Sequence, residues 1–184
     1  MLLATYALLT LTIEQQRERL SIQALQHALA CPANLAQVNC AALSARSEAL
    51  IRLAESRHQL RLENTLFPAL RAASGDAALS LRALEELGWA GRKMLPRLRA
   101  VLRPAAVCSP HRSTRACRTV QAYCHNLLAR LACEEALLLP LAQQLLSSDA
   151  WFAVGAEFLR QDAERRAHPA RPWIAGALFK MPLP

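Results

Sequence analysis

The chain of 184 residues is long enough for one domain with a substantial hydrophobic core, and its 53% hydrophobic content excludes a disordered chain. Its net charge is +8, from 22 Lys and Arg against 14 Asp and Glu; we interpret these charges as spread along the sequence and predict no nucleic-acid binding. Leu, Ala, Arg, Glu and Gln dominate without a sustained Val, Ile and Thr alternation, which predicts an all-α protein.

The N-terminal thirteen residues resemble a short signal h-region, but no basic residue precedes them and no small-residue cleavage site follows. No apolar run approaches the roughly twenty residues needed to cross a bilayer. We therefore expect a cytoplasmic protein without a membrane partner. The six cysteines include no CxxC pair, so we predict reduced, mostly buried thiols, with Cys108 and Cys117 the only nearby pair that could close a loop.

The first predicted helix runs from Thr5 to Leu29 and can be aligned in two registers. In one register, Gln15 and Glu18 occupy missing steps of an apolar stripe; in the other, Gln16 fills the gap. In both, a glutamine interrupts the apolar face midway along the helix, either as an edge residue or as a buried functional one. The first stripe consists of Leu8, Leu11, Ile22, Leu25 and Leu29, and the second of Leu9, Ile13 and Leu20.

The second and third predicted helices cover residues 45–72 and 77–102. His58 belongs to the buried stripe of the second helix, and Pro68 should bend that helix near its end because proline lacks a backbone donor. Asp76 can cap the third helix. We expect the third helix to be distorted at Gly88, Gly91 and Pro96.

The fourth predicted helix begins at Ser113 or Thr114, after a loop over residues 104–115, and continues to Leu146. Its apolar positions follow the alternating spacing of a bundle seam, but Glu134 occupies one step of that seam. A buried carboxylate costs several kcal/mol, roughly, unless it has a partner, so a partner for Glu134 is expected. The other seam positions are Val120, Cys124, Leu127, Leu131, Leu138, Leu141 and Leu145.

A fifth helix is predicted over residues 150–167, and residues 168–184, which contain four prolines, should form an irregular C-terminal tail. Residues 147–149 can cap the fifth helix. Four long helices with short to medium connections predict an up-down-up-down four-helix bundle, the simplest way to bury one stripe from each helix. We therefore predict one helical-bundle domain over residues 1–167 and a tail over residues 168–184.

A weak internal repeat aligns LENTLFPALRA of helix two with EEALLLPLAQQ of helix four through their prolines. Counting back from each proline, the tenth position is His58 or Arg130, and the sixth is Leu62 or Glu134. A histidine and a glutamate at these two offsets would project from the same helix face. Such a pair could bind a metal ion. Helix two has only the histidine of this pair, His58, and helix four has only the glutamate, Glu134.

These segments resemble the hemerythrin HHE cation-binding family from about Tyr6 to Arg160. The similarity lies in RHQLRLENTLFPALRA of helix two, LARLACEEALLLPLAQQLLSSDAWFAVGAEF of helix four and IEQQRERL of helix one. Members of that family are four-helix bundles that hold a di-iron site with His and Glu side chains for oxygen binding, storage or sensing. The resemblance implies the same fold and an ancestral cation site.

Carried over residue by residue, most of the family's ligands in the first two helices are replaced. The first-helix histidine falls on Gln15, or on Gln16 if the register slips by one. In helix two the resemblance keeps His58, but Leu62 occupies the position of the glutamate that should follow it. One of these family ligands therefore remains.

Family ligands in the third and fourth helices are also replaced. The third-helix histidine falls near Gly88, and Arg130 replaces the fourth-helix histidine, while Glu134 keeps the bridging glutamate. The metal-ligand candidates that remain are His58 and Glu134, too few for a di-iron centre. A single metal ion would need a third ligand such as Glu63, Cys133 or Gln15.

The residues present predict a different partner for Glu134. Arg130 precedes it by one helical turn on the same face, and a guanidinium can supply the charge and donors that a cation would supply. His58 and Gln15 could complete a polar core cluster with Arg130 and Glu134. Alternatively, Arg130 extends to solvent and Glu134 follows it outward.

These observations predict a hemerythrin-like protein that has lost the di-iron oxygen-binding site and acts as a structural, interaction or regulatory module, without a cofactor and with an unknown protein partner. The alternative is an atypical cation-binding protein, with iron or another metal, in oxygen or metal sensing or storage. A basic bundle associated with nucleic acid is the third hypothesis. No Ser/His/Asp or Cys/His array, glycine-rich phosphate loop or acid pair is recognisable, so we predict that the protein is not an enzyme.

Overall fold

The computed structural model describes residues 2–30, 40–103 and 110–167, and every regular element in these ranges is a helix. The all-α prediction is therefore confirmed for the described residues. Helix α1 spans Leu2–Ala30, α2 residues 40–73, α3 Ala77–Leu102, α4 residues 110–145 and α5 Ser148–Ala167. The predicted tail, residues 168–184, lies outside the described residues, as do Cys31 and Cys108.

The fourth helix begins earlier than predicted. Residues 110–112, predicted as part of a loop, belong to α4. Helix α3 has the predicted bounds and continues as an α-helix through Gly88, Gly91 and Pro96. Asp76 occupies the N-cap position of α3 without a side-chain bond, whereas the Ser147 hydroxyl accepts the Ala150 N–H at 3.2 Å at the start of α5.

Helices α2 and α4 each contain a π-helical segment before a proline. In α2 this segment is Leu62–Leu66, followed by Pro68, and in α4 it is Glu134–Leu138, followed by Pro140. The residue before each proline donates its N–H to the carbonyl five residues earlier. A wider turn accommodates a proline ring that would crowd the carbonyl four residues before it. The internal repeat of the sequence thus corresponds to a repeated backbone feature, and the helix continues through Pro68.

The π-helical segments change which residues face the core. After Leu138, the buried position is Ala142, with Leu141 and Leu145 only partly buried, so the predicted seam is wrong beyond this point. Likewise Leu70 is buried in α2, whereas Ala69 is partly buried. Each π turn contains more residues than an α turn, and the apolar stripe is therefore displaced by one residue.

In α1 the structure selects the first of the two predicted registers. Gln15 and Glu18 are buried, whereas Leu9, Ile13 and Leu20 are exposed. The alternative register, with Gln16 inside, is therefore wrong. The first stripe buries more apolar surface because it has five leucine and isoleucine residues, whereas the second stripe has three.

The buried apolar residues form two clusters at opposite ends of the helices. One joins the C-terminal half of α1, the N-terminal half of α2, the C-terminal half of α3 and the N-terminal half of α4. The other joins the complementary halves of these helices and also includes α5. Helix α5 packs along α1, where a Cβ at Gly155 would overlap the Leu3 carbonyl, so glycine permits the close approach. Between the two clusters, the buried residues are mostly polar.

Within residues 2–30, 40–103 and 110–167, no helix is both long enough and apolar enough to span a membrane.

Candidate functional site

The candidate site is a buried polar layer between the two apolar clusters. We define this polar layer by side chains of α1, α2 and α4 that lie at or near the midpoint of the described helices. Seven of them are no more than 7% exposed, and Glu55 is partly exposed at its edge. The polar layer consists of Glu14, Gln15, Glu18, Glu55, His58, Arg61, Arg130 and Glu134.

Glu134 is the most completely surrounded acid of the polar layer. Its Oε2 atom lies 2.6 Å from Nε2 of His58 and accepts a hydrogen bond from Nε2 of Gln15 at 3.0 Å. Its Oε1 atom lies 3.4 Å from Nε of Arg130. Burial by itself would raise the pKa of Glu134, but the His58 charge and hydrogen bond, together with Arg130, lower it below its usual value. Glu134 is therefore ionised at neutral pH.

Arg130 links three helices through carboxylates. Its Nη2 atom donates to Glu18 Oε1 at 2.8 Å, and its Nη1 atom lies 3.6 Å from Glu55 Oε1, which also accepts a hydrogen bond from the Tyr123 hydroxyl at 2.9 Å. Arg130 is 1% exposed. Burial opposes its charge, but Glu18 and Glu134 outweigh that cost and raise the pKa of the guanidinium. Arg130 is a fixed positive charge in the centre of the protein.

The predicted pair of Arg130 and Glu134 is present, but neither residue makes its shortest contact with the other. Arg130 lies closer to Glu18 and Glu134 closer to His58. The arginine side chain is long enough to reach across to α1, so its main partner is not its neighbour on α4. The alternative that both residues face solvent is wrong, since Glu134 has no exposed surface.

A second set of contacts connects the polar layer to the surface. His58 Nδ1 lies 3.6 Å from Glu14 Oε2, and Arg61 Nη1 lies 3.0 Å from Glu14 Oε1. Arg61 also donates to Asp162 of α5, which accepts a hydrogen bond from the Tyr6 hydroxyl at 2.6 Å. The Arg61 guanidinium lies 5.1 Å from the ring centre of Phe158, within range of a cation–π contact.

The protonation of His58 follows from its two acidic neighbours. Burial would lower the pKa of His58, but the charge and hydrogen bond of Glu134, together with the nearby Glu14 carboxylate, raise the pKa to about 10. His58 is thus an imidazolium at neutral pH. Its Nε2 donates to Glu134, whereas its Nδ1 faces Glu14 Oε2 at 3.6 Å, beyond hydrogen-bond distance.

Burial also acts on Glu18, the second acid of α1. It raises the pKa of Glu18 against the opposing effect of Arg130. In the polar layer, carboxylates of α1, α2 and α4 therefore lie against cations of α2 and α4, and the pKa values of several of these groups differ from their ordinary values.

At the level of the polar layer, helix α3 has two glycines, which leave room for side chains of the neighbouring helices. A Cβ at Gly88 would lie 2.6 Å from Gln59 Nε2, and one at Gly91 would lie 2.9 Å from Asn126 Oδ1. Both glycines are buried at the level of the polar layer. Where the family resemblance expects a third-helix histidine, this chain therefore has backbone packed against amide side chains of α2 and α4.

The residues present do not fit a di-iron centre. Arg130 and Arg61 lie among the carboxylates, and Nε2 of His58 is directed at Glu134. Of the proposed third ligands, Gln15 is bound to Glu134, and Glu63 pairs with Arg92 on the rim. Within the described residues, no three His, Cys, Asp or Glu side chains are placed so that they could hold one metal ion.

Cysteines contribute little to the polar layer. Cys133, the other proposed third ligand, is partly buried, and burial raises the pKa of its thiol, with Glu134 adding to the effect. Cys117 and Cys124 are buried and unbridged, and burial raises the pKa of Cys124 to about 11. These thiols are protonated at neutral pH and therefore weak nucleophiles.

The structure brings together the four predicted cluster residues, Gln15, His58, Arg130 and Glu134. Sequence reasoning did not single out Glu14 and Arg61. A signal was present, since Arg61 follows His58 by three residues and Glu14 precedes Glu18 by four, spacings that keep side chains on one helix face.

The resemblance to hemerythrins rests on the residue pattern of the sequence. In the structure, Gln15, His58, Arg130 and Glu134 meet between the two apolar clusters. Comparisons of the chain with protein-family models, with curated proteins and with solved structures found no match.

Proposed function

We propose that the protein is a hemerythrin-like, up-down-up-down four-helix bundle in which an internal ion-pair network has replaced the metal site. It serves as a non-catalytic structural, interaction or regulatory module for a protein partner. The observation that carries this proposal is the position of Arg130, whose guanidinium contacts Glu18, Glu55 and Glu134. In this proposal Arg130 supplies the positive charge that iron supplies in the family.

Electrostatics supports the replacement of the metal by arginine. A divalent cation bound near Glu134 would lie within a few ångströms of the Arg130 guanidinium. At about 4 Å and an effective dielectric constant of about 20, the two charges would repel each other by roughly 8 kcal/mol. Arginine cannot relieve this repulsion by losing its proton. The carboxylates of the polar layer therefore favour Arg130 over a metal ion.

The arrangement of the apolar clusters supports the proposed topology. The N-terminal halves of α1 and α3 share one cluster with the C-terminal halves of α2 and α4, as expected if successive helices alternate in direction. Helix α5 then lies against α1 on the outside of the four. Such a bundle places the polar layer at its centre, where the family's metal site lies.

The metal content of the purified protein tests the proposal. Protein from iron- and zinc-supplemented cells is analysed for metals before and after extensive dialysis. We expect far less than one metal ion per chain. The matched variant Arg130→His removes the fixed charge and restores the family's histidine, so it should retain more metal than the wild type. Near-stoichiometric metal in the wild type would contradict the proposal.

The second candidate function is an atypical cation-binding protein in oxygen or metal sensing or storage. Three buried carboxylate oxygens, Glu14 Oε2, Glu18 Oε2 and Glu134 Oε1, have no hydrogen-bond donor among the described residues. The carboxylates of Glu14 and Glu134 lie on either side of His58. Metal in the wild type that is lost in Glu134→Gln would support this candidate. Metal that is retained in Glu134→Gln would point to a site elsewhere in the chain.

A further inference from the structure

The positive charge of the protein is concentrated in one stretch of the sequence. No Asp or Glu occurs between Glu86 and Glu134, an interval that contains nine of the 22 basic residues. The rest of the chain has 13 basic and 14 acidic residues and is close to neutral. The interpretation of the charges as spread along the sequence is therefore wrong, because it considered the basic residues without the distribution of the acids.

This acid-free stretch folds into the C-terminal half of α3 and the N-terminal half of α4, which pack against each other. Between them lies a groove of about 560 Å³ with three arginines at its edges. We call it the α3–α4 groove. Its lining residues are Met94, Arg97, Thr114, Arg115, Arg118, Thr119 and Ala122.

The arginines of the α3–α4 groove differ from other basic residues of the same stretch. Arg92 is paired with Glu63 at 2.6 Å, and Arg130 is paired within the polar layer. Arg97, Arg115 and Arg118 are exposed and form no ion pair with any described residue. All 14 acidic residues of the chain lie in the described ranges. The three guanidinium groups therefore lack an acidic side-chain partner among the residues that the structure describes.

We propose that the α3–α4 groove binds the phosphate groups of a small polyphosphorylated ligand, of the size of a nucleotide. Guanidinium groups form charge-assisted, often bidentate hydrogen bonds with phosphate oxygens, and three of them from two helices can contact successive phosphates. Met94 and Ala122 add an apolar surface for the uncharged part of the ligand. This inference concerns a different part of the molecule from the polar layer and does not depend on the proposed function.

The shape and composition of the groove favour a small ligand over a nucleic-acid strand. Its volume lies within the range of about 300 to 1,000 Å³ that is common for small-molecule sites. No aromatic side chain lines the groove, whereas proteins that bind single strands stack bases on aromatic residues. The two helices confine the arginines to one concave site, which suits a compact cluster of phosphates.

The test is isothermal titration calorimetry of the full chain with adenosine triphosphate and with inorganic tripolyphosphate. We expect Arg118→Ala and Arg115→Ala to weaken binding of adenosine triphosphate by at least about tenfold, since each removes charge-assisted hydrogen bonds. The matched control is Arg99→Ala, which removes the same charge from an exposed position of α3 outside the groove. That control should change the affinity by about twofold or less.

Each outcome has a defined meaning. Tighter binding of adenosine triphosphate than of tripolyphosphate supports a nucleotide, and equal binding supports the phosphate chain alone. Absence of binding of both ligands at millimolar concentration overturns the proposal, as does an equal loss in Arg99→Ala and Arg118→Ala. Binding of a short oligonucleotide, or of phosphatidylserine and phosphatidylcholine vesicles, that adenosine triphosphate cannot displace also overturns it.

Discussion

The polar layer and the α3–α4 groove both contain arginines, but the two regions use them in opposite ways. In the polar layer, Arg130 and Arg61 are 1% exposed, and all of their described ion-pair partners are carboxylates. In the groove, Arg97, Arg115 and Arg118 are exposed and have no acidic partner among the described residues. Burial requires that a charge be compensated, whereas solvent allows it to remain unpaired.

The buried arginines should affect stability, whereas the exposed arginines should affect ligand binding. A compensated charge in the core contributes to the folded state and is expensive to disturb. An unpaired charge on the surface contributes little to stability and remains available to a ligand. Stability and binding should therefore respond to different substitutions.

The largest expected effect distinguishes the two regions directly. Arg130→Ala should lower the free energy of unfolding by roughly 3 kcal/mol or more, because Glu18 and Glu134 lose their compensating charge inside the protein. Arg118→Ala is the matched control and should change stability by less than about 0.5 kcal/mol. Urea unfolding monitored by circular dichroism measures both. Equal stability of Arg130→Ala and the wild type would show that the carboxylates do not depend on Arg130.

A pH titration sharpens the assignment of charge within the polar layer. The folded pKa of His58, about 10, is above its unfolded value near 6.5, so its stabilising contribution is complete below pH 6.5 and is lost as the pH rises towards 10. Between pH 6.5 and 10 the free energy of unfolding should therefore fall, with a slope approaching about 1.4 kcal/mol per pH unit. Urea unfolding at pH 6.5 to 9.5 measures the slope.

The control for the titration is His58→Gln, which keeps a hydrogen-bonding side chain at this position without the ionisable ring. Its free energy of unfolding should be lower at neutral pH and nearly constant from pH 6.5 to about 8. Above that pH the buried thiols, whose pKa values are raised in the folded protein, lower the stability of wild type and variant alike. A wild-type stability that does not decline between pH 6.5 and 9.5 would mean that His58 is neutral in the folded protein.

The smallest expected effect concerns Asp162, where the polar layer meets the surface. Asp162→Ala removes the acceptor for Arg61 and Tyr6 and should cost about 1 to 2 kcal/mol, less than Arg130→Ala because Arg61 keeps Glu14. It should also increase hydrogen exchange in α5. Glu164→Ala, which removes an exposed acid of the same helix, is the control and should leave exchange unchanged. Similar exchange in both variants would contradict a role of Asp162 in docking α5.

Much of the candidate site could be predicted from residue spacing. The apolar stripe of α1 indicated Gln15 and Glu18 as interior positions, and the stripe of α2 indicated His58. The seam of α4 indicated Glu134 in the same way. These predictions succeed because a side chain on the apolar face of a helix must be buried when that face packs.

The sequence pattern failed where the backbone departs from the α-helix. The one-residue displacement after the π-helical segment moves Ala142 into the core in place of Leu141, and a fixed helical period cannot show this. Pro140 was visible in the sequence, but it was used only to align the internal repeat, and no π-helical turn was predicted there. The partners of Arg130 were also missed in part, since a long side chain can choose among several helices.

The sequence by itself determined that the protein is helical and that acids, a histidine and an arginine interrupt apolar helix faces. The sequence also shows that positive charge is concentrated between Glu86 and Glu134. Only the tertiary structure decided that Arg130 contacts Glu18 of α1, that His58 contacts Glu134 of α4, and that three arginines border one groove. The physical reason is that helical periodicity orients side chains on one helix, whereas contacts between helices depend on how the helices pack.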